Sequence, residues 1–251
     1  MLEVTLLSVL QGVAEFLPIS SSGHLVIAQH FLGVDAPGLR LDIFLHVGTL
    51  ASIVLYYWRS VVRMLREAPL RYGIKIIAST LPAVVVYFFC GDSLKSAFEN
   101  VRLAGMLLVL TGIVLVVTRF LPRGERDVSF LRAFLMGCAQ AFALLPGVSR
   151  SGMTLVAARA AKVDSEKAAE FSFLMSAPLI AGAALLELWN GMCASAHEAE
   201  VGWGLVLYGA ILSAVVGYFS LKFLVATLKG RWFWLFGPYC LAAGTLVLLF
   251  A

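Results

Sequence analysis

The stretch QGVAEFLPISSSGH (residues 11–24) decides how this chain folds, because it interrupts an apolar region with a proline and a serine-glycine turn. Apolar sequence runs from 4 to 31 around it, yet Pro18 and Ser20-Ser21-Ser22-Gly23 leave two short halves. Neither reaches the roughly 20 apolar residues that a helix needs to cross a bilayer. A second stretch, QAFALLPGVSRSGM (140–153), breaks the apolar region 131–160 in the same way. The two align at a constant offset of 129, pairing Gln11 with Gln140, Ser20 with Ser149, Ser22 with Ser151 and Gly23 with Gly152. The offset continues from DIFLHVGTL (42–50) to FSFLMSAPL (171–179). Each broken region therefore reads as a re-entrant helix–turn–helix hairpin.

The remaining composition sets the solvent. Of 251 residues, 61% are hydrophobic and only 14% charged, 19 basic and 15 acidic, with a mean hydropathy of +0.92. Soluble domains run near 45–50% apolar and about 25% charged, so this is an integral membrane protein. Disorder would need the opposite balance. Cys90, Cys138, Cys193 and Cys240 are scattered without C-x-x-C spacing, which argues against a disulfide scaffold or a thiolate metal site; they read as small packing residues. The N-terminus carries Glu3 and no basic region, so no cleavable signal peptide is read there.

Six stretches are long enough to span: 43–58, 73–90, 103–118, 171–189, 204–226 and 233–251. Fifteen of the 19 positive charges fall in four segments, 59–75, 119–132, 159–167 and 222–231. Cytoplasmic loops collect Lys and Arg, and six spans plus two hairpins put all four segments on that side. The net charge of +4 thus requires no nucleic acid. The stretch 231–239, RWFWLFGPY, reads as an interfacial aromatic belt. The first hairpin then enters from outside and the second from the cytoplasm. The expected fold is all-α, one membrane domain over 1–251, built as an inverted-topology repeat of 1–120 and 131–251. Such repeats place a polar site where the two breaks meet.

At matched positions the copies differ: Ser21 faces Arg150, Glu15 faces Leu144, and His24 faces Met153. One half supplies a carboxylate, an imidazole and hydroxyls, and the other a guanidinium. Ionisable groups at membrane depth mark functional sites by default. Helices beginning at Ser20-Ser21-Ser22-Gly23 and Ser149-Arg150-Ser151-Gly152 offer free N–H groups to a phosphate, and Arg150 adds a planar charged fork. Gln11 and Glu15 share a helix face and could ligate Mg²⁺ through oxygen, with Asp42 as a further ligand or a partner for His24. Ser21 is the first candidate nucleophile and His24 the second; Glu15 or His24 could act as base. Direct attack by water remains the alternative. Singly, each has a plainer reading: serine caps, a hydrogen-bonded histidine, a structural Glu15–Arg150 bridge. His30 and His46 read as structural, His197 as solvated, and Glu170 and Glu187 as snorkelling near span ends.

At these residues the sequence resembles the undecaprenyl-diphosphate phosphatase family, the bacitracin-resistance integral membrane phosphatases. QGVAEFLPISSSGH is similar to that family's (E/Q)-x-x-x-E motif with its Ser-Ser-x-Gly-His, PGVSRSGMT (146–154) to its P-G-x-S-R-S-G-x-T motif, and LDIFLHVGTL to its segment after the first hairpin. The resemblance implies active-site roles for Gln11, Glu15, Ser20, Ser21, His24, Ser149, Arg150 and Thr154, with Ser22, Gly23, Ser151 and Gly152 binding substrate around them. It also implies six spans, two re-entrant hairpins, a divalent metal (Mg²⁺, with Ca²⁺ the alternative) and a site open to the outer, periplasmic face of a bacterial inner membrane. The implied reaction converts a C55 polyprenyl diphosphate to its monophosphate, recycling the lipid carrier of cell-wall synthesis. Membrane lipids are the expected surroundings and a second copy of the chain a further expected partner. Gln11 stands at a position that is often acidic in the family, leaving one charge fewer for a metal, and the chain is short for it. The rival reading is a transporter or lipid flippase, since broken inverted repeats are common there; the one-sided set of Glu, Ser, His and Arg favours a hydrolase. A purely structural scaffold would leave Arg150 and Glu15 without a reason at that depth.

Overall fold

The computed structural model describes residues 1–32, 39–67, 70–193, 201–230 and 232–251. Four of its helices flank the two proline breaks: α1 (Leu2–Ala14) and α2 (Ser21–Leu32) around the first, α7 (Phe130–Phe142) and α8 (Arg150–Ala160) around the second. The helices numbered between and after them are α3 (Leu39–Tyr56), α4 (Trp58–Glu67), α5 (Leu70–Phe98), α6 (Val101–Val117), α9 (Ser165–Cys193), α10 (Trp203–Gly230) and α11 (Phe236–Phe250). Side-chain caps start several of them. Asn100 accepts from Leu103 N at 2.9 Å, Ser129 from Arg132 N at 3.4 Å, and Asp164 from the Glu166 and Lys167 amides at 3.1 Å. These satisfy amides that a helix leaves open at its N-terminus.

Among the described residues five helices are long and apolar enough to cross a membrane: α5, α6 with its 3₁₀ extension to Phe120, α9, α10, and α11 with its preceding 3₁₀ turn. The bent pair α3 and α4 would make a sixth if it is counted as one span. This is a multi-pass, all-helical membrane protein. The span expected over 43–58 is carried by α3 as far as Tyr56, and the chain bends by 80° at Tyr57 into α4. In WRSVVRMLRE, Arg59, Arg63 and Arg66 recur at three- and four-residue spacing; this puts the charges on one helix face, a poor match to lipid tails. Large apolar side chains elsewhere, such as Phe88, Phe89, Ile211 and Leu249, are exposed, as lipid-facing surfaces require.

Some of the packing pairs correspond under the 129-residue offset. Helix α1 packs on α10 and α7 on α5, while α3 packs on α10 and α9 on α5; α6 lies against α11. The α6–α11 seam is closed by glycine: a Cβ on Gly112 would sit 2.8 Å from the Gly237 carbonyl oxygen, and one on Gly244 would sit 2.7 Å from that of Gly105. Small residues at such seams let backbones approach where no hydrophobic drive exists. The buried core, including Phe16, Phe171, Phe173, Leu108 and Met136, surrounds the two breaks.

At one end, residues 121–129 run beside the start of α9, with Arg126 N donating to Lys162 O at 3.0 Å and Asp164 N to Arg126 O at 2.9 Å. Cys240 is buried with its Sγ 3.5 Å from Pro18 O, as a packing cysteine should be, whereas Cys90 and Cys138 are exposed. His197, Glu198, Glu200, Arg231 and the side chains of Glu187 and Cys193 lie outside the described residues.

Candidate active site

Both breaks end in a serine that caps the next helix. Ser20 Oγ accepts from Gly23 N at 3.2 Å, and Ser149 Oγ accepts from Gly152 N at 3.1 Å. A second serine stands beside each cap, Ser22 at 3.4 Å and Ser151 at 3.3 Å. The chain reverses differently in the two turns. In the first, Ser20 itself takes φ +68°; in the second, Gly147 takes φ +91°. The left-handed region costs a residue with a Cβ about 1–2 kcal/mol, so Ser20 is held there by its surroundings, a pattern common at functional sites.

The two breaks touch. A Cβ on Gly23 would lie 2.7 Å from Gly147 Cα, and one on Gly152 would lie 3.3 Å from Pro18 Cβ. Under the offset of 129 these two contacts are each other's counterparts. Ser151 Oγ adds a bond to Leu17 O at 3.2 Å, and Gly147 O accepts from Thr111 Oγ1 at 2.9 Å. A side chain at Gly147 would meet Ala104 O at 2.2 Å in addition to its left-handed backbone. Gly147→Ala is expected to destabilise the protein by on the order of 2–5 kcal/mol, read as a lower melting temperature in detergent; an unchanged melting temperature would refute the close approach.

Glu15 caps the C-terminus of α1, and its side chain is 6% exposed. Its carboxylate accepts from Gln11 Nε2 at 3.0 Å, from Ser21 Oγ at 3.1 Å and from Arg150 Nη2. Ser21 and Arg150 are the first residues of α2 and α8, so the aligned positions of the two halves converge on one carboxylate. Two polar atoms here are buried without a hydrogen-bond partner: Arg150 Nη1 and Gln11 Oε1. Buried groups of this kind ask for an explanation, and an absent ligand is one. Glu15, Ser20, Ser21, Ser22, Ser149, Arg150 and Ser151 line a cavity of about 600 Å³ whose other walls are largely apolar, with Ile43, Val84, Leu179 and Leu186 among them.

The remaining site residues are placed around this cluster. Thr154 is buried behind Arg150, bonded to Arg150 O at 2.9 Å and to Ser172 Oγ at 2.6 Å. Gly23 and Gly152 sit in the seam between the breaks. His24 is not among the cavity-lining residues. Its Nδ1–H donates to Ser20 O at 2.8 Å, Nε2 is 2.8 Å from the Tyr239 hydroxyl, and the ring stacks on Tyr239 with a 7° interplanar angle. Asp42 does not line the cavity either; it stands 3.7 Å from His46 Nδ1. His46 does line the cavity, which the sequence reading missed. The only sequence signal was its position four residues after Asp42.

Oxygen ligands for a hard cation exist in part. Glu15 offers a carboxylate and Gln11 an unpartnered buried amide oxygen, whereas the described residues contain no group of three His, Cys, Asp or Glu side chains suited to a metal. That donor set fits a hydrated ion sharing substrate oxygens, as Mg²⁺ often does.

Residues 4–246 match the family profile described as bacitracin resistance protein BacA. The chain belongs to that family. Relatives named undecaprenyl-diphosphatase are similar over almost their whole lengths. The protein from Halothermothrix orenii is 34% identical, with 99% of this chain and 97% of the relative covered. That from Pelotomaculum thermopropionicum is 36% identical, with 99% and 96% covered. That from Rhodopirellula baltica is 38% identical, with 99% and 97% covered.

Proposed function

We propose that this protein hydrolyses undecaprenyl diphosphate to undecaprenyl monophosphate and phosphate, recycling the lipid carrier of cell-wall synthesis and conferring bacitracin resistance. The observation that carries this reading is the convergence of Ser21, Glu15 and Arg150 at the polar end of an apolar cavity, in a chain of the BacA family. The isoprenoid chain lies along Ile43, Val84, Leu179 and Leu186, and the diphosphate sits at the touching breaks.

Phosphoryl transfer rests chiefly on positioning and charge stabilisation. Arg150 Nη1, with no protein partner, binds a phosphate oxygen, and the opening amides of α2 and α8 add donors. Ser21 Oγ already donates to Glu15, so the carboxylate takes its proton as the oxygen attacks the terminal phosphorus. The bond to the bridging oxygen breaks, undecaprenyl monophosphate leaves, and water then cleaves the phosphoserine. Glu15 and Gln11 would hold a divalent metal, Mg²⁺ or Ca²⁺, that neutralises diphosphate charge when bound. Asp42 is at most an outer partner, through His46.

The two halves, 1–120 and 131–251, form an inverted repeat whose broken helices are re-entrant. The matched contacts Gly23–Gly147 and Gly152–Pro18 support that reading, as does the gathering of basic segments. The protein works in the bacterial inner membrane with its site opening to the periplasmic face, a reading supported by its membership in the BacA family; a homodimer is compatible with this arrangement.

Phosphate release from C55 diphosphate by purified protein tests the activity. EDTA is expected to lower the rate at least about tenfold and added Mg²⁺ to restore it; a rate indifferent to EDTA removes the metal from the proposal but leaves the hydrolase. Movement of substrate across proteoliposomes without phosphate release would establish a transporter instead.

A further inference from the structure

A second cavity, of about 400 Å³, lies at the end of the fold that carries the basic segments, lined by Arg119, Leu121, Pro122, Arg123, Arg159 and Trp234. Uncharged groups contact each of its arginines. Arg159 Nε and Nη2 donate to Leu121 O at 3.3 and 3.0 Å, and Arg123 Nη2 donates to Lys229 O. The Arg119 guanidinium lies 4.7 Å from the centre of the Trp234 ring, a cation–π arrangement. The neighbouring lysines have carboxylate partners: Lys167 pairs with Asp127, and Lys229 with Glu166 at 2.6 Å. Among the described residues no carboxylate lies within 4.0 Å of Arg119 or Arg123.

Planar guanidinium groups match phosphate oxygens, and basic pockets between membrane helices on the cytoplasmic side take phosphate headgroups. The surroundings favour a lipid over a free ion. Phe120 and Leu235, adjacent in sequence to lining residues, and Trp232, two residues before Trp234, are 78%, 44% and 59% exposed, an apolar flank for acyl chains beside a cationic cup. We infer that this cavity is a binding site for the phosphate headgroup of an anionic membrane phospholipid, distinct from the cavity at the helix breaks. The site depends on the chain being embedded in a membrane and not on the phosphatase reading, and the two are read by separate measurements.

Native mass spectrometry of the full chain in detergent tests it, with phosphatidylglycerol, phosphatidylcholine of the same acyl chains, and inorganic phosphate as probes. Wild type is expected to retain phosphatidylglycerol over phosphatidylcholine. The double variant Arg119→Gln, Arg123→Gln is expected to weaken that retention about thirtyfold, the effect of removing two surface charges. Arg119→Lys with Arg123→Lys keeps the charge but loses the fork and the ring stack, so retention should fall between wild type and the glutamine variant, and phosphate release should be unchanged in both. Equal retention of the two lipids by wild type overturns the inference without needing any variant. So does undiminished retention in the glutamine variant, and so does full displacement of the lipid by millimolar inorganic phosphate, which would make the occupant a soluble anion.

Discussion

Arg150→Ala is expected to lower phosphate release by roughly 10³-fold while also destabilising the protein. Two separate effects of one side chain produce this. Arg150 Nη1 is buried and unpartnered, the position from which it can stabilise charge developing on a transferred phosphoryl group; losing one such donor costs about 10²–10³ in rate. Arg150 Nη2 holds Glu15, and both side chains are largely buried, at 17% and 6% exposure. Removing one partner of a buried pair leaves an uncompensated charge worth about 3–5 kcal/mol. The two effects can be pulled apart. Arg150→Lys keeps the charge but loses the fork, so stability recovers more than rate. Adding Glu15→Gln to Arg150→Ala relieves the stranded carboxylate, so the double variant should melt higher than Arg150→Ala alone while remaining inactive. A rate for Arg150→Ala within tenfold of wild type would remove this cluster from the chemistry.

That cluster was readable in the sequence because lipid makes exceptions conspicuous. Pro18 and the glycine-serine turns stop helices by local chemistry, so both breaks could be placed without tertiary information. Arg150 and Glu15 stood out because few ionisable groups lie in apolar hairpins, and the constant offset set Ser21 opposite Arg150. What the sequence withheld depends on side-chain direction and distant contacts. His24 lies three residues after Ser21, yet its ring turns to Tyr239, which is 215 positions away. His46 reaches the cavity because α3 packs beside α1 and α9, and no local pattern encodes that. The bend between α3 and α4 falls at Tyr57 within LYYW (55–58), an apolar stretch with no proline or glycine. Only the arginine spacing beyond it hints that α4 leaves the span.

Ser21→Ala distinguishes covalent catalysis from direct attack by water. If Ser21 Oγ is the nucleophile, its loss should lower the rate by roughly 10³-fold or more, because no neighbouring group replaces it in the same geometry. Stability should hardly change, since the only side-chain bond lost is the one to Glu15, and Glu15 keeps Gln11 and Arg150. If water attacks directly, Ser21 only orients Glu15 and the loss should stay near tenfold. Rapid quenching with C55 diphosphate labelled at the terminal phosphate separates the two: a phosphoserine at Ser21 requires the covalent route. His24 is the contrasting case. Its Nδ1–H secures the carbonyl of Ser20, the residue held at φ +68°, so the imidazole acts on the turn that presents Ser21. His24→Asn, which keeps a donor in that region, should retain more activity than His24→Ala. If Glu15 and not the ring takes the proton, both variants should leave the pH dependence of phosphate release in place. A pH profile that loses one limb in His24→Asn would instead make the imidazole the base and return Ser21 to a binding role.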